Sequence, residues 1–168
     1  LDCEPNNPEI PGIAEVLGNG LDDDCDPTTP DLLPQCRDDQ FDEIQQNTSA
    51  DTATAVEDGN TSGVQYGGLV LCHADEDWYS ITVQRGDGLE IDIFFDHDQA
   101  DLDLQLFREE PDGELVRVDS SISMTNNETV YVRSTISEQT KYYARIFRYV
   151  DLYVAAPYQL TVNVFDRC

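Results

Sequence analysis

DEDWYSITVQRGDGLEIDIFFDHDQADLDLQLF, residues 75–107, decides the fold. Tyr79, Ile81 and Val83, then Leu89, Ile91, Ile93 and Phe95, then Leu102, Leu104 and Leu106 are apolar at every second position. That period turns one side of an extended chain inward and the other toward water, so three half-buried strands are expected. Arg85-Gly86-Asp87-Gly88 and the run 96–101 supply turn residues between them, and such short reversals predict a meander of antiparallel partners.

The pattern continues in both directions. Downstream, 114–118, 129–132, 141–148 and 158–165 read as strands; in the last, Tyr158, Leu160, Val162 and Val164 share one face and Gln159, Thr161 and Asn163 the other. Tyr142, Ala144 and Ile146 also face inward, and 68–72 is the first clear strand upstream. With about eight strands and turn signals at regular intervals, the expected fold is all-β: an antiparallel β-sandwich, jelly-roll-like. Between Asn47 and Ala55 the small polar run NTSADTATA predicts at most one turn of helix. Trp78, Phe94, Phe107, Tyr143 and Phe147 fall on the outward phase. An outward aromatic row calls for a covering arm, which the segment 41–64 is long enough to supply in part, or for a partner; Trp78 either covers a sheet face or offers a sugar-stacking platform.

The chain has 168 residues, enough for one good core and an accessory module. Nine Lys and Arg against 35 Asp and Glu leave a formal charge of -26, and Lys141 is the only lysine. Phosphate backbones and anionic lipid are repelled by such a surface, which sets aside nucleic-acid and membrane binding. With 39% of residues apolar and patterned as strands, bound cations explain the acidity better than disorder does.

Five cysteines without C-x-x-C spacing suit disulfides in an oxidising compartment, so a secreted or periplasmic protein is expected. No apolar run reaches about 18 residues, the length of a membrane-spanning helix. A signal peptide already removed, or excision from a longer chain, would account for a start at Leu1.

Residues 1–35 have neither strand nor helix period and should be irregular. Asp2-x-Glu4-x-Asn6 and Asp22-x-Asp24-x-Asp26 place oxygens at alternate positions, as loops that wrap Ca²⁺ do, and Glu15 could add a bidentate carboxylate. Cys3 and Cys25 lie inside the two clusters; a disulfide between them would join the loops and contribute about 3 kcal/mol by the chain-entropy estimate. Cys36 and Cys72 bracket the next arm, and pairing them would staple it to the first strand, while Cys168 is left over or pairs with Cys36 instead. A second ion is conceivable at Asp96, Asp98, Asp101 and Asp103, which converge on one turn; the alternative is that Asp101 and Asp103 form the polar face of a strand. Asp75 and Asp77 read as caps at the start of a strand. Asn47, Asn60 and Asn127 begin N-x-S/T triplets and read as exposed polar turns.

Two resemblances follow from these residues. Asp2-Cys3, Pro11-Gly12 with Glu15, and the run 19–26, NGLDDDCD, resemble the MopE-like metal-binding motif of secreted bacterial proteins. Val16-Leu17-Gly18 stands where the commoner pattern has a cysteine, and there is one copy. The motif implies a metal, and the hard oxygen donors favour calcium over copper or zinc. Residues 36–168 resemble the bacterial pre-peptidase C-terminal domain through the run 75–79, DEDWY, the turn and strand 86–93, the run 101–106, DLDLQL, and the closing runs 141–146 and 157–162. That resemblance implies a noncatalytic β-sandwich appended to exported proteins, whose relatives in collagenases bind collagen and calcium.

His73 and His97 are the only histidines, and no Gly-x-Ser-x-Gly, His-Glu-x-x-His or phosphate loop accompanies them, so no enzyme is expected. The leading expectation is a secreted, calcium-binding adhesion or accessory module that meets an extracellular protein or polysaccharide. One alternative is a subunit of an extracellular fibre or surface assembly that contacts its own copies. Another is a polysaccharide-binding module.

Overall fold

A computed structural model describes residues 36, 39–42, 46–56, 63–133, 139–150 and 155–165. The chain divides into two compact units, Leu1–Cys36 and Arg37–Cys168, of which the second carries the described fold. Asp2, Glu4, Asn6, Glu15, Asp22, Asp24 and Asp26, with Cys3, Cys25 and Cys168, lie outside the described residues.

After a 3-10 turn, Ala50–Thr52, come β1 (Thr54–Ala55), β2 (Val64–Leu71), β3 (Asp77–Gln84), β4 (Gly88–Phe95), β5 (Leu102–Glu109), β6 (Leu115–Ser121), β7 (Asn127–Val132), β8 (Gln139–Arg148) and β9 (Ala156–Phe165). They form two sheets, ordered β1-β3-β8-β5-β6 and β2-β9-β4-β7. Apart from the parallel two-residue β1, all pairs are antiparallel, and the eight long strands follow the order of a jelly roll, changing layer at every step except the β5–β6 hairpin. The all-β sandwich expected from the alternation is present, with Cys36 and Cys72 joined in a disulfide.

The three-strand meander is corrected. β3 pairs with β8, β4 with β7 and β9, and β5 with β6 and β8, so none of the three pairs with another. Every strand of a sandwich has one inward face, whichever layer it occupies, so alternation alone cannot tell a hairpin from a step between sheets. The turn after β3, closed by Asp87 N donating to Gln84 O at 3.2 Å with Gly86 at φ +94°, carries the chain across that interlayer gap.

The inward residues fill the space between the layers: Ile81, Leu89, Ile91, Leu104, Ile146 and Leu160 are fully buried. Each such side chain contributes about 2 kcal/mol of apolar burial. β2 extends upstream of its expected start through a bulge at Gly67–Gly68, where the register against β9 shifts between Tyr66 and Leu69 and Gly68 takes φ +74°.

Candidate metal centre

Among the described residues, one group of acids, histidines or cysteines brings three ligand atoms within 4.8 Å of one another: Asp42, Asp75 and Asp77. Three local features assemble it. Asp77 is the first residue of β3 and shares the inward phase of Tyr79 and Ile81, so the strand itself drives a carboxylate into the core, where it is fully buried. Asp75 ends the short loop that starts at the disulfide-bonded Cys72 and curls through Ala74 at φ 57°, a left-handed backbone unusual for alanine; its Oδ1 accepts from Glu76 N at 2.8 Å. Asp42 comes from the arm before β1, which Asp39 fastens by accepting from Phe41 N at 2.8 Å and from Val70 N of β2 at 3.0 Å.

Asn47 completes the group. It is fully buried, its main-chain O accepts from Trp78 N at 2.8 Å, and its main-chain N donates to Asp42 Oδ1 at 3.2 Å. Its side-chain Nδ2 donates to Asp42 Oδ1 at 2.7 Å and to Asp77 Oδ1 at 3.2 Å. Asn47 is therefore not the exposed turn that its N-x-S triplet suggested, because the hydrogen bond to Trp78 N draws it under the start of β3. Asn127, in contrast, is exposed, and Asn60 lies outside the described residues.

Behind the acids lies a buried hydroxyl chain. Tyr158 OH donates to Asp77 Oδ2 at 2.5 Å and lies 2.6 Å from Tyr79 OH. Burial pushes the Asp77 carboxyl up to about 8, the Tyr158 hydrogen bond opposes the shift, and the charges of Asp42, Asp39 and Asp75 add to it. Both tyrosine hydroxyls are held well above their ordinary range, burial being the main cause. Several carboxylates thus crowd a water-poor end of the core. Oxygen donors alone make up the group, a set that suits a hard cation such as Ca²⁺ and not a soft metal.

The expected second cluster is arranged differently. Asp96 accepts from Asp98 N at 3.2 Å and from Gln99 Nε2 at 2.9 Å, within its own turn. Asp98 is exposed, and Asp101 Oδ1 lies 3.2 Å from His97 Nδ1. Asp103 is buried on β5, where burial first, and then the charges of Asp101 and Glu128, push its carboxyl up to about 6. Trp78 is half-buried, stacked on Phe107 with centroids 5.5 Å apart, so it covers the outer side of its sheet.

No protein-family model matches the chain, and no curated protein does. Solved structures similar to it include the pre-peptidase C-terminal domain of collagenase from Bacillus anthracis, at 14% identity and TM-score 0.46, covering 66% of this chain and 96% of that one. The Yersinia pseudotuberculosis-derived mitogen aligns at 14% identity and TM-score 0.48, over 64% of this chain and 97% of its own. The periplasmic g-type lysozyme inhibitor PliG of Aeromonas hydrophila aligns at 12% and 0.47, over 67% and 97%.

Proposed function

We propose that this chain is a noncatalytic, exported β-sandwich module whose N-terminal arm is held to the sandwich by a calcium ion at Asp42, Asp75 and Asp77. The observation that carries the reading is the convergence of buried carboxylate oxygens from two separate segments, with the Asn47 amide among them. Ca²⁺ takes six to eight oxygens at about 2.3–2.6 Å, which three carboxylates, an amide oxygen and water can supply. Without the ion the Asn47 Nδ2 bridges the acids, and turning the amide over would offer Oδ1 as a ligand.

The Cys36–Cys72 disulfide supports a non-cytoplasmic location, and secretion or the cell surface is the finer form of that reading. Extracellular calcium at about millimolar concentration nearly fills a site with Kd of about 0.1 mM, and that tenfold excess over Kd adds about 1.4 kcal/mol. The protons of the Tyr79–Tyr158–Asp77 chain sit inside the core, where no substrate reaches them, which supports a structural use of these acids. Differential scanning calorimetry with Ca²⁺ or EDTA tests the ion: a melting temperature higher by a few degrees in Ca²⁺ is expected, and coincident melts would refute it.

A further inference from the structure

The two sheets turn very different outer faces to solvent. On the β3-β8-β5 face the polar groups are committed to one another: Arg145 pairs with Glu76 and donates to Gln105 at 3.2 Å, and Tyr143 OH donates to Glu109 at 3.0 Å. Lys141 lies over the Tyr143 ring at 4.8 Å, and Trp78 stacks on Phe107. That face closes on itself.

Among the described residues, the outer face of β9-β4-β7 stays open. The register sets Gln159, Phe94 and Asn127 side by side, then Thr161, Asp92 and Thr129, then Asn163, Glu90 and Tyr131. Within this grid Thr129 donates to Asp92 at 2.6 Å, whereas no hydrogen bond within the described residues takes up the side-chain amides of Gln159, Asn163 or Asn127. Phe94 at one end is 46% exposed and Tyr131 at the other 49%, although burying either ring would be favourable. Four residues along a strand separate their rows, roughly 13 Å at the usual rise. No row holds a cation, and two hold carboxylates.

We propose that this face binds a neutral oligosaccharide. The aromatic rings at the two ends offer flat apolar surfaces to sugar rings, and the amides and carboxylates between them present paired donors and acceptors to neighbouring hydroxyls. An anionic glycan is excluded by Asp92, Glu90 and a chain charge of -26. The inference gives a partner to the noncatalytic exported module proposed above and rests on that reading, yet its readout is affinity and does not depend on the ion.

The experiment is titration of the full chain in Ca²⁺ with soluble cello-, xylo-, manno- and chito-oligosaccharides of increasing length, with heparin oligosaccharides as the acidic comparison. Binding to at least one neutral series is expected, strengthening with length until the two rings are spanned. Phe94→Ala and Tyr131→Ala should each weaken it about tenfold without moving the melting temperature, and Trp78→Ala should leave it unchanged. Absence of binding to every neutral series, preference for the acidic one, or loss in Trp78→Ala alone overturns the proposal. Thermal melts of the same samples show whether the calcium reading stands or falls separately.

Discussion

Two acidic turns of this molecule look alike in sequence and differ in build. Asp75-x-Asp77 leads into β3 and Asp101-x-Asp103 into β5, each with further acids close by. Around the second, Asp96 accepts hydrogen bonds within its own turn and Asp101 lies beside His97. Around the first, Asp42 and Asn47 arrive from an arm some thirty residues upstream and are buried with Asp77. Spacing along the chain therefore does not decide the build: at the first turn separate segments bring three carboxylates together where Asp42 and Asp77 are buried, whereas at the second a single buried carboxyl, Asp103, is raised by its neighbours Asp101 and Glu128.

Breaking the link that holds the first turn should have the largest effect. Cys36→Ser with Cys72→Ser removes the disulfide at the head of the Asp75 loop and is expected to cost about 2–5 kcal/mol, read as the midpoint of urea unfolding. The calcium response should weaken with it.

The pH dependence comes next and separates the two turns. In chelator the folded Asp77 holds its proton up to about 8, whereas an unfolded aspartate releases it near the ordinary 3.8. Between those values the folded state binds more protons than the unfolded one, so stability declines as pH rises and levels off above about 8. Asp103, raised to about 6, contributes a decline that ends sooner. Urea midpoints from pH 4 to 9 in EDTA should fall across both windows, and Asp103→Asn should remove the part of the fall that finishes near 6.

Substitutions at single acids should give smaller differences. Asp42→Ala and Asp75→Ala are expected to abolish the calcium-induced rise in melting temperature, while Asp98→Ala leaves it intact and changes stability by less than about 0.5 kcal/mol. A modest effect belongs to the outer-face pair of Arg145 and Glu76, both partly exposed. Arg145 holds the Glu76 carboxyl below its ordinary range, so Arg145→Ala should lower stability by about 1 kcal/mol or less at neutral pH and by less once acid protonates Glu76.

The strands were legible because burial on one side writes itself as a period of two, and the inward Tyr158, Leu160 and Val162 are where that period puts them. Sheet membership was not, since a residue such as Ile81 is inward in either layer. β1 escaped because Thr54 and Ala55 carry no alternation and join the sheet only through their backbone beside Tyr79 and Ser80. Half of the candidate centre was within reach: Asp77 is two residues before Tyr79 and must share its inward phase, which a reading of it as a strand cap overlooked. Asp42 and Asn47 gave no local sign, because what matters about them is proximity to residues thirty positions away. The acids of residues 1–35 lie outside the described residues, so their expected site stands apart from this comparison.

Calorimetric melting of the wild-type chain and of Asp77→Asn, each with Ca²⁺ and with EDTA, tests the calcium centre most directly. Asparagine keeps a partner for the Tyr158 hydroxyl and, being neutral at every pH, removes the proton uptake that folding of Asp77 requires in chelator. The wild type should melt a few degrees higher in Ca²⁺, while the variant should melt higher than the wild type in EDTA and gain nothing from the ion. A wild type indifferent to Ca²⁺, or a variant that keeps the full response, would contradict the assignment of the ion to these buried oxygens.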